Sequence, residues 1–182
     1  MTGVQTCALP IYIITGAKGL ANGSPIGLTV AKPEVAAGLR GATLSTFGGN
    51  PVTATAAKAV IDFIEEQKLL DNCTETGGYL RGSLEELKEK HEIIGDVRGM
   101  GLMQAIELVE DRKTKAPAAA QTVRLLEATR EHGLLVGKGG LYGNVIRVTP
   151  PMNIGRADVD QFIQLLDKSL TAVAAATVGG VR

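Results

Sequence analysis

Short apolar runs of strand length alternate with longer segments of helical periodicity, and this order constrains the fold more than any other feature of the chain. The runs that predict strands are 13–15, 26–30, 93–97, 101–109, 134–136 and 144–148. Helical spacing of apolar side chains marks 51–70, 121–131 and the segments around Leu80, Leu84 and Leu87 and from Val159 to Leu170. Such alternation predicts an α/β fold. The runs at 13–15 and 26–30 are expected to be buried strands.

Two helix ends have clear signals. Pro51 suits the first helical position and Asn50 the N-cap, so a helix is expected to begin there and to run to about Leu70. Gly133 is a suitable C′ residue for a helix that ends near Glu131. Residues 32–41 are expected to form a short helix or loop, 111–117 a polar loop, and the tail after Ala175 to fray.

Composition narrows the possible partners. The 182 residues carry 19 basic and 19 acidic side chains, so the net charge is zero, and neither nucleic acid nor an anionic membrane is an expected partner. No apolar run approaches the ~20 residues that span a bilayer. Cys73 is the one cysteine outside the first eleven residues, which favours a reducing compartment, and a zinc site is not expected.

Lys18 lies in a glycine-rich turn between the first two apolar runs, Ile13-Ile14-Thr15 and the run that begins at Ile26. A lysine with apolar neighbours can lose its hydration shell, which favours the neutral amine. A neutral amine attacks carbonyls and can form a Schiff base with an aldehyde cofactor. The other interpretation is an ordinary solvated lysine on a turn.

Two further segments could bind anions. Ser45 and Thr46 place hydroxyls beside Gly48 and Gly49, where backbone N–H groups can approach a phosphate; alternatively they only cap a turn. Arg147 lies on an apolar strand and needs an anionic partner, which could be a substrate carboxylate or a structural salt bridge.

Four other polar residues are interpreted as structural. Arg98 is expected to act mainly in the fold. Lys138 lies between glycines in a segment without the spacing of a phosphate loop, and is expected on a glycine-rich turn. His91 and His132 lie near predicted helix ends and are expected to interact with the helix dipole there.

Three segments and the lysine turn together resemble the class III aminotransferases. The turn matches the family's I-I-T-x-A-K-G-x-x-N-G-x-P-I-G pattern around Lys18, and the other segments are 46–51 (T-F-G-G-N-P), 95–103 (G-D-V-R-G-M-G-L-M) and 137–152. The similarity extends from Tyr12 to about Val173 and is closest to the alanine–glyoxylate aminotransferase 2-like branch. It implies fold type I, with the end of a large domain at 12–49, a connecting helix at 50–71, an α+β C-terminal domain at 72–175 and a tail at 176–182.

The resemblance also implies a cofactor and a chemistry. The family depends on pyridoxal 5′-phosphate, with Lys18 as the covalent lysine and catalytic base. Thr46, with Ser45 as a possible helper, would bind the cofactor phosphate of the neighbouring subunit in a homodimer. Arg147 would bind a substrate carboxylate. Amino acid and keto acid would be the substrates, and the cytoplasm, or the mitochondrion of a eukaryote, the location.

Residues 1–11 resemble the conceptual translation of a sequencing adapter, and Tyr12 stands where the family has aspartate. The chain is therefore expected to be the C-terminal part of a longer enzyme. The upstream part would supply the aspartate at the pyridine nitrogen, the aromatic side chain on the ring and the first phosphate loop. The chain alone is expected to be inactive.

Two alternatives of function remain open on the sequence. The chain could be a non-catalytic α/β domain that binds an anion through its glycine-rich loops. It could also serve another pyridoxal phosphate chemistry on the same fold, as an aminomutase, a decarboxylase or a racemase.

Overall fold

The computed structural model describes residues 11–41 and 44–178, and for 176–178 only the backbone. The chain divides into two compact units, Met1–Gln67 and Lys68–Arg182. Residues 1–10 of the predicted adapter segment, and 179–182 of the predicted tail, lie outside the described residues. The final helix continues three residues past Ala175, to Val178, so fraying there does not begin at Ala175.

The first unit begins with a β-hairpin. Strands β1 (Ile13–Gly16) and β2 (Leu28–Ala31) pair antiparallel, with Gly16 opposite Leu28. A 3-10 helix (Lys18–Ala21) occupies the turn between them. Helices α1 (Pro33–Ala36) and α2 (Pro51–Glu66) follow. The two predicted strands are therefore present, and they are each other's partners.

The prediction that these two strands are buried is wrong. The side chains of Ile13 and Ile14 are 52% and 55% exposed, and those of Leu28 and Val30 are 44% and 51% exposed. The hairpin is a single layer, and an isolated two-stranded layer cannot cover both its own faces. The apolar side chains of the hairpin are therefore left partly in contact with solvent by the described residues.

Helix α2 begins as predicted and ends earlier than predicted. Asn50 has extended backbone angles, and its side-chain oxygen accepts a hydrogen bond of 3.0 Å from the backbone N–H of Thr53, with Pro51 at the first helical position. The helix stops at Glu66 rather than near Leu70. Lys68 adopts the left-handed conformation, with φ at 51°, and this reversal interrupts the helical backbone before the next helix begins.

The second unit combines three long helices with a four-stranded antiparallel sheet. The elements are α3 (Leu69–Lys90), β3 (Ile94–Met100), β4 (Met103–Leu108), α4 (Ala119–Glu131), β5 (Gly137–Gly139), β6 (Val145–Val148) and α5 (Arg156–Val178). The sheet order is β3-β4-β6-β5. This arrangement confirms the mixed fold class and the α+β character expected for the C-terminal part.

The hydrophobic core of the second unit has contributions from all three helices and from β3, β4 and β6. Leu84 of α3, Ile106 of β4, Leu125 of α4, Ile146 of β6 and Leu166 of α5 are fully buried. Alternate residues of β4 are buried, which is the period expected of a strand with one covered face. The predicted periodicity of the α3 leucines is therefore confirmed as core packing.

Three boundaries in the second unit differ in their agreement with prediction. Helix α4 ends as predicted, with Gly133 at φ 82° and the N–H of Leu134 bonded to the carbonyl of Thr129. Strand β3 continues past the predicted end at Val97 to Met100, and so includes Arg98. The strand predicted at 134–136 is instead β5 at Gly137–Gly139, because pairing with β6 fixes its position. Among the described residues, no helix is long and apolar enough to cross a membrane.

Candidate active site

Lys18 opens the 3-10 helix at the tip of the β1–β2 hairpin. Its backbone is left-handed, with φ at 55°, and Asn22 at the other end of the turn has φ at 46°. The N–H of Leu20 bonds to the carbonyl of Ala17, and the N–H of Asn22 bonds to the carbonyl of Gly19. The turn is therefore held by its own backbone and by packing against α2, where Ala21 is buried, and the side chain of Lys18 stays exposed.

The side chain of Lys18 is exposed, and it makes no hydrogen bond or ion pair to another described residue. The predicted loss of its hydration shell is therefore not produced by the described residues. The reason is the bare hairpin: apolar neighbours desolvate an amine only when a second layer excludes water from both. Any low-dielectric environment for this amine has to come from groups that cover the hairpin.

The Ser45–Asn50 loop leads directly into α2. The N–H of Gly48 bonds to the carbonyl of Ser45 at 3.2 Å, and the Asn50 side-chain amide donates to the carbonyl of Phe47 at 2.8 Å. A Cβ atom at Gly48 would lie 2.8 Å from the Oγ of Ser45, and Gly49 has φ at 69°. Both glycines are thus required by the shape of this turn.

The loop has the chemical groups that a phosphate ester needs. The hydroxyl-bearing residues Ser45 and Thr46 are exposed, and the sixteen-residue helix α2 presents its N-terminus at the end of the loop. Hydroxyl donors, glycine backbone and the positive end of a helix dipole suit a phosphate. The exposed amine of Lys18 suits an aldehyde carbon. The described residues therefore include groups that suit the aldehyde and groups that suit the phosphate of pyridoxal phosphate.

Arg147 lies on β6, with Ala105 of β4 opposite it on one side and Gly137 of β5 on the other. Its side chain is exposed and forms no ion pair or hydrogen bond within the described part of the chain. No described residue therefore forms the structural salt bridge that is the alternative interpretation of Arg147. Arg147 also lines a cavity of about 350 Å³, whose other lining includes Leu80, Val148 and Phe162.

Arg98 has the counter-ions that Arg147 lacks. Its guanidinium bonds Asp96 at 2.7 Å and Glu107 at 2.6 Å, and these hydrogen bonds raise its pKa further above its usual value. The prediction that Arg98 acts in the fold is confirmed by this pairing. The two arginines lie in the same cross-strand row with Ala105 between them, one neutralised and one free.

The remaining candidates have structural surroundings. His91 caps the end of α3, with Nε2 2.6 Å from Asp167, and His132 caps α4, with Nδ1 2.8 Å from Ser169. Lys138 lies on β5 rather than on a turn, which corrects the prediction. Within the described ranges no group of three or more histidine, cysteine, aspartate or glutamate side chains could hold a metal ion.

The contact of Gly137 and Gly139 with the Arg147 side chain is not predicted from the sequence. The signal available was their spacing of two residues, which places both on one face of a strand. Gly140 and Gly143 follow directly, and four glycines so close together favour the prediction of a turn over that of a strand.

An amine for an aldehyde carbon, and a hydroxyl- and glycine-containing loop at a helix N-terminus for a phosphate, are groups that a pyridoxal-phosphate-dependent transferase of fold type I would need. The comparison with known families agrees: the chain belongs to the class III aminotransferases, which it matches over residues 4–170. The match begins inside the segment attributed to adapter sequence, so the boundary at Tyr12 stays a prediction.

Individual relatives show the same family with more than one activity. The chain is 49% identical, over 160 residues, to an Arabidopsis thaliana protein named alanine–glyoxylate aminotransferase 2 homolog 2, mitochondrial, and covers 34% of it. These residues are 87% of this chain. It is 36% identical, over 88% of its length, to an alanine/serine racemase of Pyrococcus horikoshii, of which it covers 33%.

A solved structure gives the same result for the fold. An amine transaminase from an uncultivated Pseudomonas species, in its pyridoxal-phosphate-bound form, superimposes with a TM-score of 0.80 at 31% identity. The alignment covers 88% of this chain and 38% of that one. The chain thus spans about a third of the length of the curated relatives that it matches.

Proposed function

We propose that the protein to which this chain belongs is a transaminase that moves an amino group from an amino acid or ω-amine to a keto acid such as pyruvate or glyoxylate. The observation that carries the proposal is the free amine of Lys18 at the hairpin tip, in a chain that belongs to the class III aminotransferases. Its cofactor is pyridoxal 5′-phosphate.

Lys18 has two tasks in this proposal. Its Nζ would hold the cofactor covalently through the aldehyde, and as a free amine the same atom would take a proton from the substrate carbon and deliver it to the carbon of the cofactor's aldehyde group. When bound, the cofactor ring stores the electron pair left by the broken C–H bond. The left-handed turn presents one amine for both tasks, and cover from other parts of the protein would exclude water from it.

Arg147 is proposed to bind the substrate carboxylate. The support is its lack of any partner among the described residues, since a guanidinium stays charged and forms strong bidentate bonds to carboxylates. Arg98 is a weaker candidate for this anion, because Asp96 and Glu107 already bind its guanidinium and carry two negative charges beside it. Which donor and acceptor are used depends on the rest of the pocket.

Thr46, assisted by Ser45, is proposed to bind the cofactor phosphate of a second subunit. Around it, Leu44, Phe47 and Val52 are 96%, 82% and 75% exposed. Large apolar side chains grouped around a polar loop are typical of a surface that another protein covers. A homodimer with the site shared across its interface accounts for both the apolar side chains and the exposed hydroxyls.

The first experiment locates the covalent lysine in the full-length protein. After incubation with pyridoxal phosphate and reduction with borohydride, the label is expected on Lys18 and to be lost in Lys18→Ala. Lys115→Ala is the matched control, because Lys115 is also exposed and left-handed, with φ at 57°. A protein that binds the cofactor without label on Lys18 would be a non-catalytic binder and would contradict the proposal.

The second experiment tests the shared site. Co-expression of Lys18→Ala and Thr46→Ala subunits places both defects in one site of the mixed dimer and leaves the other site intact, so about a quarter of all sites are expected to recover. A site formed within one subunit would show no recovery.

The racemase relative favours a second candidate, racemisation of a small amino acid. The two activities differ in their need for an acceptor. A transaminase consumes alanine only when a keto acid is supplied, whereas a racemase converts one enantiomer to the other without it. The same preparation can be tested for both.

We also propose that the 182-residue chain alone does not turn over substrate. Its described residues leave Lys18 in contact with water and the hairpin uncovered. The location proposed is the cytoplasm, or the mitochondrion if the source is a eukaryote. Turnover by the purified 182-residue chain would contradict the proposal of inactivity.

A further inference from the structure

Gly137 and Gly139 are glycines for a reason other than backbone conformation. In the same segment Gly140 and Gly143 have φ angles of 82° and 65°, which residues other than glycine rarely adopt. Gly137 and Gly139 are in strand β5 and are not among the positive-φ residues. Glycine at these two positions is therefore explained by the space that a side chain would occupy.

The Arg147 side chain fills that space. A Cβ atom at Gly137 would lie 3.3 Å from Nη2 and 3.4 Å from Nε of Arg147, and one at Gly139 would lie 3.3 Å from its Cδ. These separations lie at or below the short end of the 3.4–4 Å range of ordinary van der Waals contact for a Cβ atom. The arginine lies along the bare backbone of β5, and a methyl group at either glycine would displace it.

The other neighbours of Arg147 are also small or neutralised. Ala105 lies opposite it on β4, and the next residue in that row, Arg98, is held by Asp96 and Glu107. The Arg147 side chain thus packs against the backbone of β5 and forms no ion pair with any described residue. Its hydrogen-bonding groups remain available to a ligand.

We propose that Gly137 and Gly139 are positioning residues that fix the orientation of Arg147 and so determine how well the enzyme binds a carboxylate. This inference rests on the proposed role of Arg147. A bidentate guanidinium–carboxylate pair is planar, and a shift of a few tenths of an ångström or a change of rotamer misaligns both of its hydrogen bonds. Alanine at either position disturbs carboxylate binding without touching the amine chemistry at Lys18.

The test uses the full-length holoenzyme and two ligands of equal shape, propionate and its neutral isostere propionamide, with binding measured by calorimetry. Gly137→Ala and Gly139→Ala are expected to weaken propionate binding about tenfold and to leave propionamide within about twofold. The KM for alanine is expected to rise while kcat at saturation changes little. Gly82→Ala is the control, because an added Cβ there meets nothing within 4 Å.

A double-mutant cycle separates the possible failures. If the glycines act through Arg147, Gly137→Ala adds no further loss of propionate binding in the Arg147→Ala background. Additive losses, equal losses for propionate and propionamide, or wild-type affinity in both glycine variants would overturn the inference about the glycines. Unchanged propionate binding in Arg147→Ala itself would instead overturn the role of Arg147, on which the inference depends.

Discussion

The backbones of Gly77 in α3 and Gly101 in the β3–β4 turn are in direct contact, since a Cβ atom at Gly77 would lie 2.3 Å from the carbonyl carbon of Gly101. Gly101 itself has φ at 52°, and a Cβ atom there would lie 3.2 Å from the carbonyl oxygen of Cys73. Two glycines, one in α3 and one in the turn, therefore allow the backbone of the helix to pack directly against the backbone of the β3–β4 turn. This close approach is internal to the second unit.

The second unit is expected to fold on its own. Its core is continuous and includes Leu80, Ile94, Leu125 and Leu170, all between 0% and 1% exposed, whereas the hairpin of the first unit leaves its apolar side chains about half exposed. A protein of residues 68–182 should give a cooperative urea transition followed by circular dichroism. Residues 12–67 alone should give none. A broad, non-cooperative transition for residues 68–182 would contradict this prediction.

Gly77→Ala is expected to destabilise that unit by about 3 kcal/mol, because backbone atoms of Gly101 cannot move aside as a flexible side chain would. The adjacent Gly78→Ala is the matched control, since an added Cβ there meets nothing within 4 Å. In the middle of a helix it should stabilise by about 0.5–1 kcal/mol. Urea midpoints of the two variants measure the difference, and equal midpoints would show that the contact is dispensable.

Features that depend on nearby residues could be predicted from the sequence. The start of α2 at Asn50 and Pro51 follows from the chemistry of two adjacent side chains, and the burial of Leu80 and Leu84 follows from helical period. The end of α4 before Gly133 follows from one glycine. In each of these cases the deciding interaction spans fewer than about five residues.

Features that depend on distant partners could not be predicted. The exposure of Ile13 reflects the lack of a second layer, which no local pattern reports. The predicted position of β5, at 134–136, is wrong because Gly-Lys-Gly has little strand propensity. Its pairing with β6 is imposed by tertiary structure. The free state of Arg147 depends on Ala105 and Gly137, which become its neighbours only when the sheet forms.

A pH-dependent contribution to stability is expected from Asp167. Partial burial acts to raise the pKa of its carboxyl group, but hydrogen bonds from Lys90 and His91, both at 2.6 Å, outweigh it, and the net pKa lies below the ordinary value. A lowered folded-state pKa means that the stabilisation is present above the unfolded value of about 4 and is lost as the pH falls through the folded value.

The corresponding variant is Asp167→Asn, measured by urea unfolding of residues 68–182. It should cost about 1 kcal/mol at neutral pH, and the cost should shrink as the pH falls below about 4. Glu131→Gln is the control, because the side chain of Glu131 is exposed and makes no hydrogen bond or ion pair to another described residue. A cost for Asp167→Asn that stays constant from neutral pH to pH values well below 4 would exclude the titration of this carboxyl as its origin.

The final prediction separates the two hydrogen bonds made by the side chain of Asn50. Its oxygen caps α2 through the N–H of Thr53, and its amide donates to the carbonyl of Phe47, next to Thr46. Asn50→Ala removes both bonds, whereas Asn50→Ser keeps a neutral side-chain acceptor for the cap and removes only the bond to Phe47.

If the bond to Phe47 orders the phosphate loop, both variants of the full-length protein should bind pyridoxal phosphate several-fold more weakly, because a net hydrogen bond contributes about 1 kcal/mol. Only Asn50→Ala should also lose thermal stability, since it alone loses the cap. Cofactor affinity is measured by titration of the apoenzyme, with free phosphate as competitor. Wild-type affinity in Asn50→Ser would show that the side-chain amide of Asn50 has no part in cofactor binding, and that the helix cap, the glycine turn and the backbone bond from the Asn50 N–H to the Phe47 carbonyl are enough to order the loop.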